Sequence, residues 1–295
     1  MSVKSRLLPW IYPRICTVLG PVLRVLLLLR VVMGKENRHR LMERRGIPSL
    51  PRAEGKLIWL HAASVGEALT AITLIAALRD KLGDDAHFLL TTGTLTSAEL
   101  AGRRMDLRDQ HQFIPLDHPK WIARFLDHWR PDAAFWMESE LWPNMMAALR
   151  ARNIPAALVN ARLSLRSFER WSGTPDWAAE ILSTFHVHVA QSEEDEDRLR
   201  KLGARTPVTS GNLKYASLPL PFVETKYQAW KNAIATHPTL LYASTHEGEE
   251  DMALSIHQEL AQDHPGLLTL IIPRHPNRGD KIWNSVKSTG LAALR

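Results

Sequence analysis

From Lys56 onward the chain repeats one pattern: a short, nearly continuous apolar run followed by a stretch with helical periodicity. Residues 56–61 (KLIWLH) read as a buried strand, and 67–82 follow as a helix with Leu69, Ile72, Ile75, Leu78 and Leu82 along one face. Residues 87–92 form a second strand and 97–104 a short helix. Residues 112–116, 133–139, 156–160, 187–191 and 208–212 continue the strands, with helices centred on Arg124, Ala147 and Arg198 between them. Strands that are apolar throughout, rather than at alternate positions, are covered on both faces. With a helix after each, the pattern specifies an α/β fold with a doubly wound parallel sheet.

Near residues 215–222 the rhythm breaks at a Pro-containing stretch, SLPLPF. A helix (224–236), strand (239–244), helix (249–262) and strand (267–272) then begin a second α/β unit. The expected division is an amino-terminal segment over 1–50, an α/β domain over 51–216 and the start of another over 217–295. Two parallel strands leave open edges, so this last part is expected to be incomplete without a partner or further chain.

The charge is concentrated at one end. The chain carries a net +6, but residues 1–55 hold eleven Lys or Arg against three Asp or Glu, a net of +8. The remaining 26 basic and 28 acidic residues give the body a net of −2, which argues against a nucleic-acid partner. The basic segment is also apolar. Residues 15–33 (ICTVLGPVLRVLLLLRVVM) approach the ~20 residues that span a bilayer. Pro21 interrupts helical hydrogen bonding, and an arginine such as Arg24 near a bilayer centre costs at least ~2.5 kcal/mol. A membrane-anchor helix is expected, spanning or interfacial, with the basic residues 35–45 meeting anionic headgroups and the body on the cytoplasmic side. The single cysteine, Cys16, excludes an internal disulfide.

The chain has neither a phosphate-binding G-x-x-x-x-G-K-[ST] loop nor a dinucleotide G-x-G-x-x-G. HEGEE (246–250) lacks the second histidine of H-E-x-x-H, and His186 and His188 alternate on a strand, so no metal site is expected. Polar residues gather instead where strands end, which is where open α/β sheets bind ligands. HAASVGE (61–67) brings Ser64, Gly66 and Glu67. Here the residues leave two roles open, since Ser64-x-x-Glu67 is also a helix-capping pattern. MESELWPN (137–144) brings Glu138, Glu140 and Asn144, two carboxylates arriving as an apolar strand finishes. NARLS (160–164) brings Arg162, and SGNLK (210–214) brings Lys214. STHEGE (244–249) brings Ser244, Thr245, His246 and Glu247, and PRHP (273–276) brings Pro273 and Arg274. Together they describe one cleft between two α/β domains. A carboxylate there can take a proton from a hydroxyl, and cations can stabilise a departing phosphate. That is group transfer from an activated nucleotide donor.

These segments, together with ERRGIP (43–48), TTGTLTSAE (91–99), PLDHP (115–119), AQSEED (190–195), GNLKY (211–215) and ASTHEGEE (243–250), resemble in order the 3-deoxy-D-manno-octulosonic acid (Kdo) transferases of lipopolysaccharide assembly. The resemblance implies a GT-B-type glycosyltransferase fold and an inverting, metal-independent reaction without a cofactor. Kdo would pass from CMP-Kdo to a lipid A precursor at the cytoplasmic face of the inner membrane. It implies Glu67 as general base and Glu138 and Lys214 as groups that stabilise the transition state. Ser64, Gly66, Glu140, Asn144, Arg162, Ser244, Thr245, His246 and Glu247 are the substrate-binding candidates, with Pro273 and Arg274 contacting the CMP moiety. Family members continue through a further part of the donor domain. An inactive membrane-associated fragment that retains acceptor binding is therefore the alternative. A nucleotide-sugar epimerase of the same architecture is a third reading.

Overall fold

The computed structural model describes residues 3–83, 85–216 and 222–294, with side chains from residue 7 onward. The expected junction at 217–221 lies outside the described residues. The chain forms two compact units, Met1–Leu218 and Pro219–Arg295.

The first unit opens with two helices, α1 (Val3–Val18) and α2 (Gly20–Val32), and a 3₁₀ helix, Arg38–Arg45. The single apolar run read from sequence is broken: Gly20 and Pro21 start a new helix, and the two axes differ by 57°. Among the described residues no single helix is long and apolar enough to cross a membrane. Then come β1 (Lys56–Ala62), α3 (Val65–Leu82), β2 (Ala86–Thr92), α4 (Leu95–Arg104), β3 (Gln110–Phe113), α5 (Pro119–Trp129), β4 (Ala133–Met137), α6 (Pro143–Ala151) and β5 (Ala156–Ala161). The unit ends with α7 (Leu165–Ser172), α8 (Pro175–Leu182), β6 (Phe185–Ala190), α9 (Glu193–Lys201), β7 (Val208–Thr209) and a 3₁₀ turn, Leu213–Ala216.

The sheet is parallel throughout, in the order β3-β2-β1-β4-β5-β6-β7. Residue parity along β1 shows why the strands read as apolar throughout. Leu57 and Trp59 enter a core with Phe125, Trp129, Trp136, Met145 and Ile181, under α5, α6 and α8. Ile58, Leu60 and Ala62 enter the opposite core with Ala68, Ala71, Ile75 and Phe88, under α3 and α4. A fully buried side chain of this size contributes about 2–3 kcal/mol, and the Trp59–Trp136 pair adds an edge-to-face contact at 5.4 Å.

The amino-terminal segment is tied to this body by buried charge. Arg44 donates to the carbonyls of Ile114 (3.2 Å) and Gly93 (2.6 Å) and pairs with Glu36 (3.1 Å). Glu43 accepts the Phe113 N–H at 2.7 Å. The Arg40 and Arg44 guanidiniums both lie over the Phe113 ring. Burial, with Arg40 and Arg44 adding to it, holds the neighbouring His111 down to about 3. Gly46 closes the segment at φ 71°, where a Cβ would stand 1.8 Å from the Trp121 carbonyl oxygen.

The second unit holds α10 (Glu224–Ile234), β8 (Thr239–Thr245), α11 (Glu249–Asp263), β9 (Leu268–Pro273) and α12 (Gly279–Ser288). Its strands pair in parallel, and Leu241 and Ile272 are each 55% exposed.

Candidate active site

Strand β1 lies between β2 and β4, so the chain reverses its winding direction there. Beyond the carboxyl ends of β1 and β4 is the crevice that such a switch point opens. Both of the leading carboxylates stand at this place. After β1 ends, the Ser64 hydroxyl accepts the Glu67 N–H at 3.3 Å and starts α3. The Glu67 carboxylate reaches back to accept the Ala63 N–H at 2.8 Å, one residue before the cap position. Burial pushes this carboxyl above its ordinary range. The Ala63 and Ser64 hydrogen bonds oppose the shift, and the Glu138 and Glu140 charges add to it. Both roles left open by the sequence fall on this carboxylate: its Oε2 holds the Ala63 N–H at the start of the helix, and its burial raises its affinity for a proton.

On the other side of the crevice, β4 stops at Met137 because Glu138 turns to φ 54°, short of the strand end at Ser139 read from sequence. A left-handed conformation costs a non-glycine residue ~1 kcal/mol or more. It carries the Glu138 carboxylate to the Lys214 ammonium at 2.7 Å. Lys214 is set in its turn by two asparagines: Asn160 Oδ1 accepts the Leu213 N–H (2.9 Å) and Asn212 Oδ1 the Lys214 N–H (3.0 Å). The end of the lysine side chain lies 3.8–3.9 Å from where a Cβ on Gly66 would stand, so it rests over the first turn of α3. Glu67, Glu138 and Lys214 thus form one group. An ammonium is disfavoured at a helix amino terminus, and Glu138 offsets this. A half-exposed ion pair contributes at most ~1 kcal/mol, so the value of this one is positional.

Asn160 was named in a strand-end cluster but given no role by the sequence reading. It sits at φ 55°, is buried, and its Nδ2, like the Ser139 Oγ, has no partner among the described residues. The signal was the residue type, since asparagine tolerates this conformation better than most. Glu140 accepts the Trp142 indole N–H at 2.9 Å, and its carbonyl accepts that of Trp136. Both indoles pack on His61, at 4.4 and 5.5 Å between ring centroids. His61 shares a hydrogen bond of 3.0 Å with the Thr91 hydroxyl, and burial holds it down to about 3, hence neutral.

The other candidates divide. Asn144 spends its amide on the Asp117 carbonyl (2.7 Å), while the Asp117 carboxylate accepts the backbone N–H groups of Asn144 and Met145. Its observed contacts are those of a helix start. Arg162 is exposed one residue past β5 and has no side-chain partner among the described residues. His188 is committed to the Leu182 carbonyl at 3.0 Å. In the second unit Ser244 takes φ 63°, the Thr245 hydroxyl donates to Glu250 (2.7 Å), and Glu247 pairs with Lys281. His246 and Arg274 are exposed, and the Arg274 N–H donates to the Thr245 carbonyl at 3.0 Å, beside Pro273. Arg278, which the sequence reading passed over, holds both oxygens of Glu250 at 2.7 and 3.0 Å.

The fold is similar to those of UDP-GlcNAc 2-epimerase from Neisseria meningitidis, solved with UDP-GlcNAc bound (TM-score 0.53, 15% identity, 79% of this chain and 69% of that one), and a glycosyltransferase from Rickettsia africae (TM-score 0.53, 13% identity, 81% and 66%). In sequence, the chain is 35% identical over 284 residues to the probable mitochondrial 3-deoxy-D-manno-octulosonic acid transferase of Arabidopsis thaliana (94% of this chain, 63% of the relative). It is 32% identical over 273 residues to that of Rickettsia bellii (92% and 65%), and 32% over 296 residues to that of Haemophilus influenzae (96% and 67%). It therefore spans about two thirds of the length of these relatives. Residues 39–217 match the family described as 3-deoxy-D-manno-octulosonic-acid transferase (kdotransferase). The chain belongs to the 3-deoxy-D-manno-octulosonic acid transferase family.

Proposed function

We propose that the chain provides the acceptor side and part of the donor side of an inverting, metal-independent GT-B transferase that moves Kdo from CMP-Kdo to a lipid A precursor. The observation that carries this reading is Glu67: a buried carboxylate with one oxygen fixed, its proton affinity raised, beside a carboxylate–ammonium pair at the switch point. In the reaction, Glu67 takes the proton of an acceptor hydroxyl as that oxygen bonds to the anomeric carbon of Kdo. The bond from that carbon to the CMP phosphate oxygen breaks, and CMP leaves with the electron pair. Lys214, held by Glu138, stabilises charge near the reacting carbon. In the second unit Pro273 and Arg274 contact the CMP moiety, and Ser244, Thr245, His246 and Glu247 bind substrate.

The amino-terminal helices bring this site to its lipid. Trp10, Val18, Val22, Val25, Leu28, Leu29 and Val32 are all exposed on α1 and α2, an apolar surface flanked by arginines and suited to an anionic bilayer at the cytoplasmic face of the inner membrane. The test is CMP release from CMP-Kdo with a lipid A precursor. Wild type is expected to turn over, and Glu67→Ala to lose turnover at unchanged fold. Conversion of a UDP-sugar in the absence of lipid, with no CMP release, would replace this reading with an epimerase.

A further inference from the structure

On α2, Leu27 is buried while Val22, Val25, Leu28, Leu29 and Val32 face outward, and Glu36, just after the helix, is 7% exposed. Beside the buried Leu27, a set of charges fastens the carboxyl end of α2 to the body. Arg30, in its last turn, donates to Glu36 Oε1 at 3.0 Å, and Arg44 donates to Glu36 Oε2 at 3.1 Å. Arg44 is itself buried, and its other nitrogens reach the carbonyls of Gly93 and Ile114, at the carboxyl ends of β2 and β3. Gly93 packs so closely on the loop after β1 that a Cβ would stand 2.8 Å from the Ala63 carbonyl oxygen. Ala63 is the residue whose N–H fixes Glu67 Oε2. Arg30, Glu36, Arg44, Gly93, Ala63 and Glu67 are therefore consecutive contacts between the outward apolar face and the carboxylate at the switch point.

We propose that Arg44 is a positioning residue that couples the seating of α2 on an anionic bilayer to the placement of the Glu67 carboxylate. This rests on the reading of α2 as bilayer-facing and of Glu67 as the base. A buried guanidinium with fixed acceptors on three sides transmits displacement, because an acceptor lost where water does not reach leaves a charged donor unsatisfied. A bilayer that orders α2 and Arg30 thereby orders Glu36, Arg44 and the loop that holds Glu67.

Hydrogen exchange on the full chain tests this, with and without vesicles of phosphatidylcholine and phosphatidylglycerol, following peptides that cover residues 61–70. Wild type is expected to sediment with the vesicles and to exchange more slowly in this region when bound. Arg44→Lys and Glu36→Gln are expected to sediment equally but to lose about half or more of that added protection. The first keeps the charge and the second the shape, so if one fails to fold the other carries the test. Variants that retain the full wild-type response overturn the coupling, as does wild type that binds vesicles with unchanged exchange at 61–70. Wild type that does not sediment overturns the bilayer-facing reading and the coupling with it.

Discussion

At the residue scale, Glu67 makes two demands that pull against each other. It must stay deprotonated to act as a base, yet burial raises its proton affinity. A carboxyl whose folded pKa lies above its ordinary 4.5 makes the fold less stable as pH rises from 4.5 through that elevated value, because the unfolded chain releases its proton first. Glu67→Gln keeps an acceptor for the Ala63 N–H and removes the charge. Thermal melts should therefore show equal or greater stability at pH 7 and a flatter pH dependence above 4.5 than wild type, while turnover falls by ~10²-fold or more. A Gln variant that melts lower and still turns over would assign Glu67 to helix capping alone. Asn160 separates backbone from side chain in the same way. Gly and Ala both lose the bond to Leu213, but only Gly accepts φ 55° freely. Denaturant titration should find Asn160→Ala about 1 kcal/mol less stable than Asn160→Gly.

At the scale of elements, the glycine that closes the arginine-rich 3₁₀ helix has no substitute. Gly46→Ala sets a Cβ against the Trp121 backbone and needs φ 71°, and should cost about 3 kcal/mol or more, read as a drop in unfolding midpoint. The sequence disclosed the alternation of strand and helix because covered parallel strands carry unbroken apolar runs, as 57–60 (LIWL) do. It disclosed less where chain geometry overrides composition. The apolar run through residue 33 reads as one anchor helix interrupted at Pro21, and Gly20-Pro21 starts a separate helix there. The helix pair α7 and α8 has no counterpart in the sequence reading, which places no helix between residues 160 and 187. Strand β3 starts two residues and ends three residues before the expected 112–116, since the polar Gln110 and His111 are paired in the sheet and pairing stops at Phe113. At the site, residue types at strand ends were visible. The contacts of Asn144 with Asp117, and the chain from Arg44 to Ala63, are long-range and leave no local trace.

For the whole molecule, charge and apolar exposure coincide in one region, the first 55 residues with their net +8. Sedimentation with phosphatidylglycerol vesicles should accordingly weaken several-fold between ~0.05 and ~0.5 M salt without vanishing, because headgroup attraction is screened while apolar burial is not. Complete release by salt would leave no role for the exposed valines and leucines. The neutrality of two interior imidazoles bears on how a rate profile of the assembled enzyme is read. His61 and His111 both titrate near pH 3, far below any assay condition. Neither produces an inflection around neutrality, and His61, with no exposed surface, is closed to a reagent that acylates unprotonated imidazole. An acidic limb in the profile is thus not theirs, and the glutamate at the switch point is a carboxyl whose burial moves it upward.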